Sequence, residues 1–177
     1  MSNGEMNIQS NSNQLDYYRI GVSFFKASDR CYGEKIENTY YIIKNADQGS
    51  VFTQLPAPTV VNAAFACEMF FKSLLINSNI IIPKGRDGHN LFKLYKRLPL
   101  SIQDQISDFC YHGSKKDSFE VFLEDHANDF ADIRYFIENK GFTNMSPMKM
   151  HALAFNLMQI TKAILSSRGN NEQLSNS

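Results

Sequence analysis

The run Val60–Asn77, VVNAAFACEMFFKSLLIN, constrains this chain more than any other stretch, because before its closing Asn77 the polar residues are only Asn62, Glu68, Lys72 and Ser73. At about 100° per residue these four fall within one sector, and aliphatic and aromatic side chains cover the rest. The pattern predicts a central helix buried on most sides. Glu68 and Lys72 stand four apart with the acid on the N-terminal side, an orientation worth a few tenths of a kcal/mol when exposed. Buried, such a pair is retained for a reason other than stability.

One central helix needs enough chain around it. At 177 residues and 43% hydrophobic content, the sequence supports one domain with a sizeable core. Eighteen basic and eighteen acidic residues cancel, so binding to nucleic acid or to an anionic membrane has to rest on a local patch. The N-terminus, MSNGEMNIQSNSNQ, lacks a basic region followed by an apolar core, and no membrane span of roughly 18 apolar residues is expected. The expected location is cytoplasmic. Cys31, Cys67 and Cys110 are odd in number and form no CxxC pattern, which argues against a disulfide framework or a zinc site. Cys67 is expected in the core.

Residues 1–12 and 168–177 carry little to bury and read as disordered tails around a single helical domain at 13–167. Leu15, Tyr18, Val22 and Phe25 recur at helical spacing and predict a helix over about 14–30, although Gly21 costs it about 1 kcal/mol. The segment 34–46 places Ile36, Tyr40 and Ile43 on one helical face, so a helix is expected, with a strand as the alternative that NTYYII allows. Pro56 and Pro58 predict a loop up to the central helix. Leu91, Leu94, Tyr95 and Leu98 make a short helix ended by Pro99, and Ser101 is the expected N-cap of the next. Phe119, Phe122, His126, Phe130, Ile133 and Ile137 predict one long helix over 117–139. Ser146-Pro147 opens a last helix that runs to about Ser167. The expected class is all-α, a bundle of about five to seven helices.

Three local patterns then stand in a distinctive order: AFACEMFFKSLL, GHNLFKLYKRL and FADIRYFIEN. Together, over roughly residues 56–165, they resemble the HEPN superfamily of small helical bundles found in prokaryotic defence and toxin systems. The resemblance implies an HEPN-like bundle in a phage-defence or toxin–antitoxin setting, beside a nucleotidyltransferase or ATPase partner and without a cofactor. Many members are metal-independent ribonucleases with an Arg followed, four to six residues later, by a His. The Arg neutralises phosphoryl charge and the His moves the proton. Here Arg134 occupies the Arg position, but Asn139, Lys140 and Gly141 stand where the His belongs. An Asn can hold a phosphate oxygen and cannot act as a base.

Three readings follow: a non-enzymatic module that binds RNA, a nucleotide or a partner protein; a ribonuclease in which His89 meets Arg134; and a purely structural interaction domain. The candidate catalytic residues are Arg134 and His89. The candidate binding residues are Glu68, Lys72, His89, Lys93, Arg134, Tyr135, Glu138 and Asn139. Each has a bland alternative: Arg134 and Glu138 as a surface i, i+4 pair, Tyr135 as packing, His89 as a donor to a backbone carbonyl. Lys84, Arg86, Lys93, Lys96 and Arg97 form the clearest basic cluster, next to His89. His126 lies on an apolar stripe and reads as a core histidine; His112 and His151 have no i, i+4 ligand partner, and no metal site is expected. Tyr135, Phe136 and Ile137 in succession give more apolar surface than one core stripe needs, which predicts a homodimer through that helix with Arg134 near the two-fold axis.

Overall fold

The computed structural model describes residues 13–32, 35–36, 39–40, 43–44, 51–52, 56–111, 116–127 and 147–174. Six α-helices lie among them: α1 (Gln14–Tyr32), α2 (Pro56–Asn77), α3 (Leu91–Lys96), α4 (Leu100–Tyr111), α5 (Lys116–Asp125) and α6 (Pro147–Leu174). The class is the expected all-α bundle. Of the segment 34–46, expected as a helix with a strand as the alternative, the described residues form two-residue strands: β1 (Lys35–Ile36) pairs with β2 (Thr39–Tyr40), and β3 (Ile43–Lys44) pairs with β4 (Val51–Phe52) beyond it, both antiparallel. The β-branched and aromatic content of NTYYII wins over helical spacing there.

The central helix α2 packs most extensively against α1 and then against α6, with α3 next. It begins earlier than expected, with Pro56 and Pro58 inside its first turn. The first N–H groups of a helix have no intrahelical partner, so proline costs nothing there. Val60, Ala63, Ala66, Cys67, Phe70, Phe71, Leu74 and Leu75 are fully buried along its length. Ala57–Asn77 is, contrary to expectation, long and apolar enough to cross a membrane, but 78% of its most apolar window is buried inside the protein. It is the core helix of this bundle. Its C-terminus closes with Asn79 at φ 56°, the Asn79 N–H donating to Ile76 O and the Ile80 N–H to Leu75 O at 2.9 and 2.8 Å. That is a Schellman ending with asparagine in the left-handed position.

Gly21 explains how closely α1 approaches α2. A Cβ on it would stand 2.6 Å from Phe70 Cε1, so the glycine that weakens α1 as an isolated helix lets the Phe70 ring lie against its backbone. Asn13 caps α1 by accepting from the Leu15 and Asp16 N–H groups, while Asp16 accepts in return from the Asn13 N–H. On the other side of α2, Tyr95 bridges Phe71 and Phe119, with ring centroids 6.1 and 5.3 Å away. Buried Gln103 donates from Nε2 to Leu98 O at 2.7 Å and Lys96 O at 3.3 Å, satisfying carbonyls left open at the end of α3. The helix α4 starts at Leu100, with Ile102 and Gln103 N–H donating to Pro99 O, so Ser101 lies inside it and is not its N-cap.

The long helix expected over 117–139 ends at Asp125, and His126 and Ala127 form a turn. The physical cause is a competing acceptor role. The Ala127 carbonyl takes the Leu91 N–H at 3.1 Å, an orphan donor at the start of α3, and the Ala127 N–H falls back to Glu124 O. Residues 128–146, with Arg134, Tyr135, Glu138 and Asn139, lie outside the described residues, as does the tail at 1–12. The backbone of α6 runs to Leu174, past Ser167 where the apolar spacing stops it and into the segment expected as a tail.

Candidate functional site

Glu68, on α2, is 1% exposed. Its Oε1 accepts from Lys72 Nζ at 2.6 Å, one helical turn on. Both carboxylate oxygens lie 3.2 Å from His89 Nδ1. A buried carboxylate thus holds an ammonium and an imidazole together, a contact of His89 with Glu68 that the sequence reading did not expect. His89 reaches it because the 3-10 turn Gly85–Gly88 ends there, its own N–H donating to Arg86 O. Gly88 is required: a Cβ would sit 2.3 Å from the Pro83 carbonyl oxygen.

The carboxylate fixes the tautomer of His89. An ionised carboxylate only accepts, so Nδ1 carries the hydrogen, and in the neutral ring Nε2 presents its lone pair on the opposite edge. The His89 side chain is 56% exposed. The arrangement can therefore take a proton from, or accept a hydrogen bond from, a ligand arriving from outside, with Nδ1 held from inside.

The basic cluster next to it is partly committed. Lys93 Nζ pairs with Asp87 Oδ1 at 2.6 Å, and that ammonium, aided by Arg97, holds the Asp87 carboxyl below its usual range. Lys96 Nζ lies 3.0 Å from both carboxylate oxygens of Glu120. Lys84, Arg86 and Arg97 are exposed. Lys93 therefore belongs to a local ion pair, and the remaining positive surface is carried by those three residues. Asn90 shapes the same corner by accepting from the Lys93 N–H at 2.8 Å and capping α3.

A second polar cluster escaped the sequence reading. His151 on α6 places Nδ1 3.1 Å from Ser28 Oγ and Nε2 3.2 Å from Asp29 Oδ1. Its partners are 123 positions away for Ser28, so no local spacing could have signalled it. Ser, His and Asp together invite comparison with a nucleophilic triad, but Ser28 is fully buried and no substrate carbonyl can reach its oxygen. His126 is the buried histidine expected, its ring 4.7 Å from that of Phe122. Cys67 is fully buried, as expected. Burial pushes the Cys31 thiol up and that of Cys110 to about 12, so neither is an activated thiolate. No group of three potential metal ligands occurs among the described residues.

No family model matches the chain, and neither the curated proteins nor the solved structures contain a match.

Proposed function

We propose that this protein is an HEPN-like helical module that binds RNA or a nucleotide through the face carrying His89. The observation that supports it is the inverted burial of the Glu68–His89 contact: a carboxylate 1% exposed anchors a ring 56% exposed. Burying an ion pair costs several kcal/mol in desolvation and is a poor way to stabilise a helix. Using it to hold one exposed imidazole in one tautomer gives that cost a purpose. The exposed Lys84, Arg86 and Arg97 supply the positive charge that a phosphate backbone needs in a protein without net charge. The order of the helix patterns favours RNA among phosphate ligands, through the HEPN resemblance, and a prokaryotic defence system as its setting.

Fluorescence anisotropy with labelled single-stranded RNA tests this. Affinity is expected to fall with rising salt and to weaken about tenfold in His89→Ala and in Arg86→Ala/Arg97→Ala. Equal affinity in all three proteins, or none at low salt, would exclude this face as the binding site.

A second reading, a metal-independent ribonuclease, is favoured by the same ring: Nδ1 is held by a carboxylate and Nε2 is open to a substrate proton. Arg134 would then supply the phosphate charge. Cleavage of RNA in EDTA that disappears in both His89→Ala and Arg134→Ala would establish it, and binding without cleavage would leave the first reading.

A further inference from the structure

The corner that carries His89 holds two lysine–carboxylate pairs, and they differ in what they connect. Lys96 Nζ meets both oxygens of Glu120 at 3.0 Å across 24 positions, which ties α3 to α5. Lys93 Nζ meets Asp87 Oδ1 at 2.6 Å across only 6 positions, which ties α3 to the turn that already leads into it. Both of these side chains are about half exposed, and an exposed pair of this kind adds little to stability. The corner is held without it: the Asn90 side chain caps α3 at the Lys93 N–H, and Gly88 lies against the Pro83 carbonyl.

What the pair does is occupy a cation. Lys93 and Arg97 stand four apart, with Arg97 still helical at the C-cap of α3, so the two side chains leave the same edge of the helix. The Asp87 carboxylate lies in the field of both and is hydrogen-bonded to Lys93. A carboxylate oxygen 2.6 Å from an ammonium stands where a phosphate oxygen would stand. We propose, on the reading of this face as a phosphate site, that Asp87 is an autoinhibitory carboxylate: it holds Lys93 back, so that a strand arriving at His89 meets Lys84, Arg86 and Arg97 but not Lys93.

The tether favours the internal anion. Asp87 belongs to the same short turn as Gly88, so it meets Lys93 as an intramolecular partner, without the loss of translational freedom that a ligand phosphate incurs. Withdrawing one cation also lowers the sequence-independent attraction of the face for polyanions, which leaves more of the binding to the group that is specifically placed, His89.

Fluorescence anisotropy with labelled oligouridine, on the natural protein, Asp87→Asn, Lys93→Met and the double variant, tests this. Asparagine keeps the size of the side chain and removes its charge. One added phosphate contact on a single strand steepens the dependence of log K on log salt by about 0.7, so Asp87→Asn is expected to bind about fivefold more tightly at about 0.1 M salt and about twofold at about 0.3 M. Lys93→Met alone is expected to change affinity by about twofold or less, and in its background Asp87→Asn is expected to bring no gain. Unchanged affinity and salt dependence in Asp87→Asn overturn the proposal while leaving the binding face in place. A gain that survives in the double variant also overturns it, because Asp87 would then repel the strand directly and not act through Lys93. Absence of binding in every one of these proteins at low salt overturns the reading of the face itself, and the autoinhibitory contact with it. Should Asp87→Asn fail to fold, Lys93→Met decides: a loss of about fivefold in that variant would show Lys93 already engaged by the strand, and would reject the contact.

Discussion

Two histidine–carboxylate contacts among the described residues are built in opposite senses. At His89 the carboxylate is inside and the ring outside, with exposures of 1% and 56%. At His151 the ring is inside and the carboxylate outside, at 14% and 49%. The separation is the same 3.2 Å in both, so distance alone says nothing about what either contact does. A buried anion has to be held by its partners, and in exchange it orients whatever it holds. An exposed anion interacts through solvent and can be lost cheaply. The first contact holds an exposed ring from inside, while the second holds a buried ring from outside.

The largest effect should come from breaking the buried half. Glu68→Ala leaves the Lys72 ammonium, itself nearly buried, without its carboxylate, and is expected to cost about 3–5 kcal/mol in urea denaturation. Replacing both partners, as Glu68→Leu with Lys72→Met, removes both charges at similar volume and should return stability to within about 1 kcal/mol of the natural protein. The double variant then folds with His89 unanchored. Stability recovered together with full RNA affinity would show that the pair does not serve the ring.

Gly88→Ala comes next. The new Cβ meets the Pro83 backbone oxygen, which cannot move like a side-chain tip, and a loss of about 1–3 kcal/mol is expected together with displacement of His89. His89→Ala should cost less, about 1 kcal/mol, because Glu68 keeps Lys72 while losing one charge-assisted hydrogen bond. Thermal melts of the two variants, read beside their RNA affinities, separate the turn from the ring. A larger loss in His89→Ala than in Gly88→Ala would mean that the ring, and not the turn, supports this corner.

These two contacts also mark what was legible in the sequence. Glu68 and Lys72 lie four apart on a helix whose periodicity is plain, and His89 follows a glycine in a charged turn, so all three could be singled out locally. The contact of Ser28 and Asp29 with His151 depends on how α1 and α6 meet, and no spacing within either helix encodes it. Gly21 shows the same limit. Helix propensity counts it as a cost, and only the Phe70 ring against its backbone shows why it is there. Apolar spacing that continues through His126 predicts one helix over 117–139, whereas the chain turns at His126–Ala127 and offers the Ala127 carbonyl to Leu91. Periodicity reports which face is apolar; it does not report a tertiary hydrogen bond that competes with the helix.

Asp29→Asn should have the smallest effect on stability and sharpens the comparison most. The carboxylate is half exposed, so its removal is expected to change stability at neutral pH by about 0.5 kcal/mol or less. The amide oxygen still accepts from Nε2–H, and the contact of Nδ1 with Ser28 survives. What changes is the balance at the ring. Asp29 supplies both contributions that raise the His151 pKa, while burial alone lowers it. Without the carboxylate the ring's pKa should fall further below its ordinary value, as a nuclear magnetic resonance titration of the His151 ring in both proteins would show. The same acid-to-amide change at Glu68 leaves Lys72 without a counter-charge, and its loss should be several times larger. Equal losses in Asp29→Asn and Glu68→Gln would mean that burial of the carboxylate is not what distinguishes the two sites.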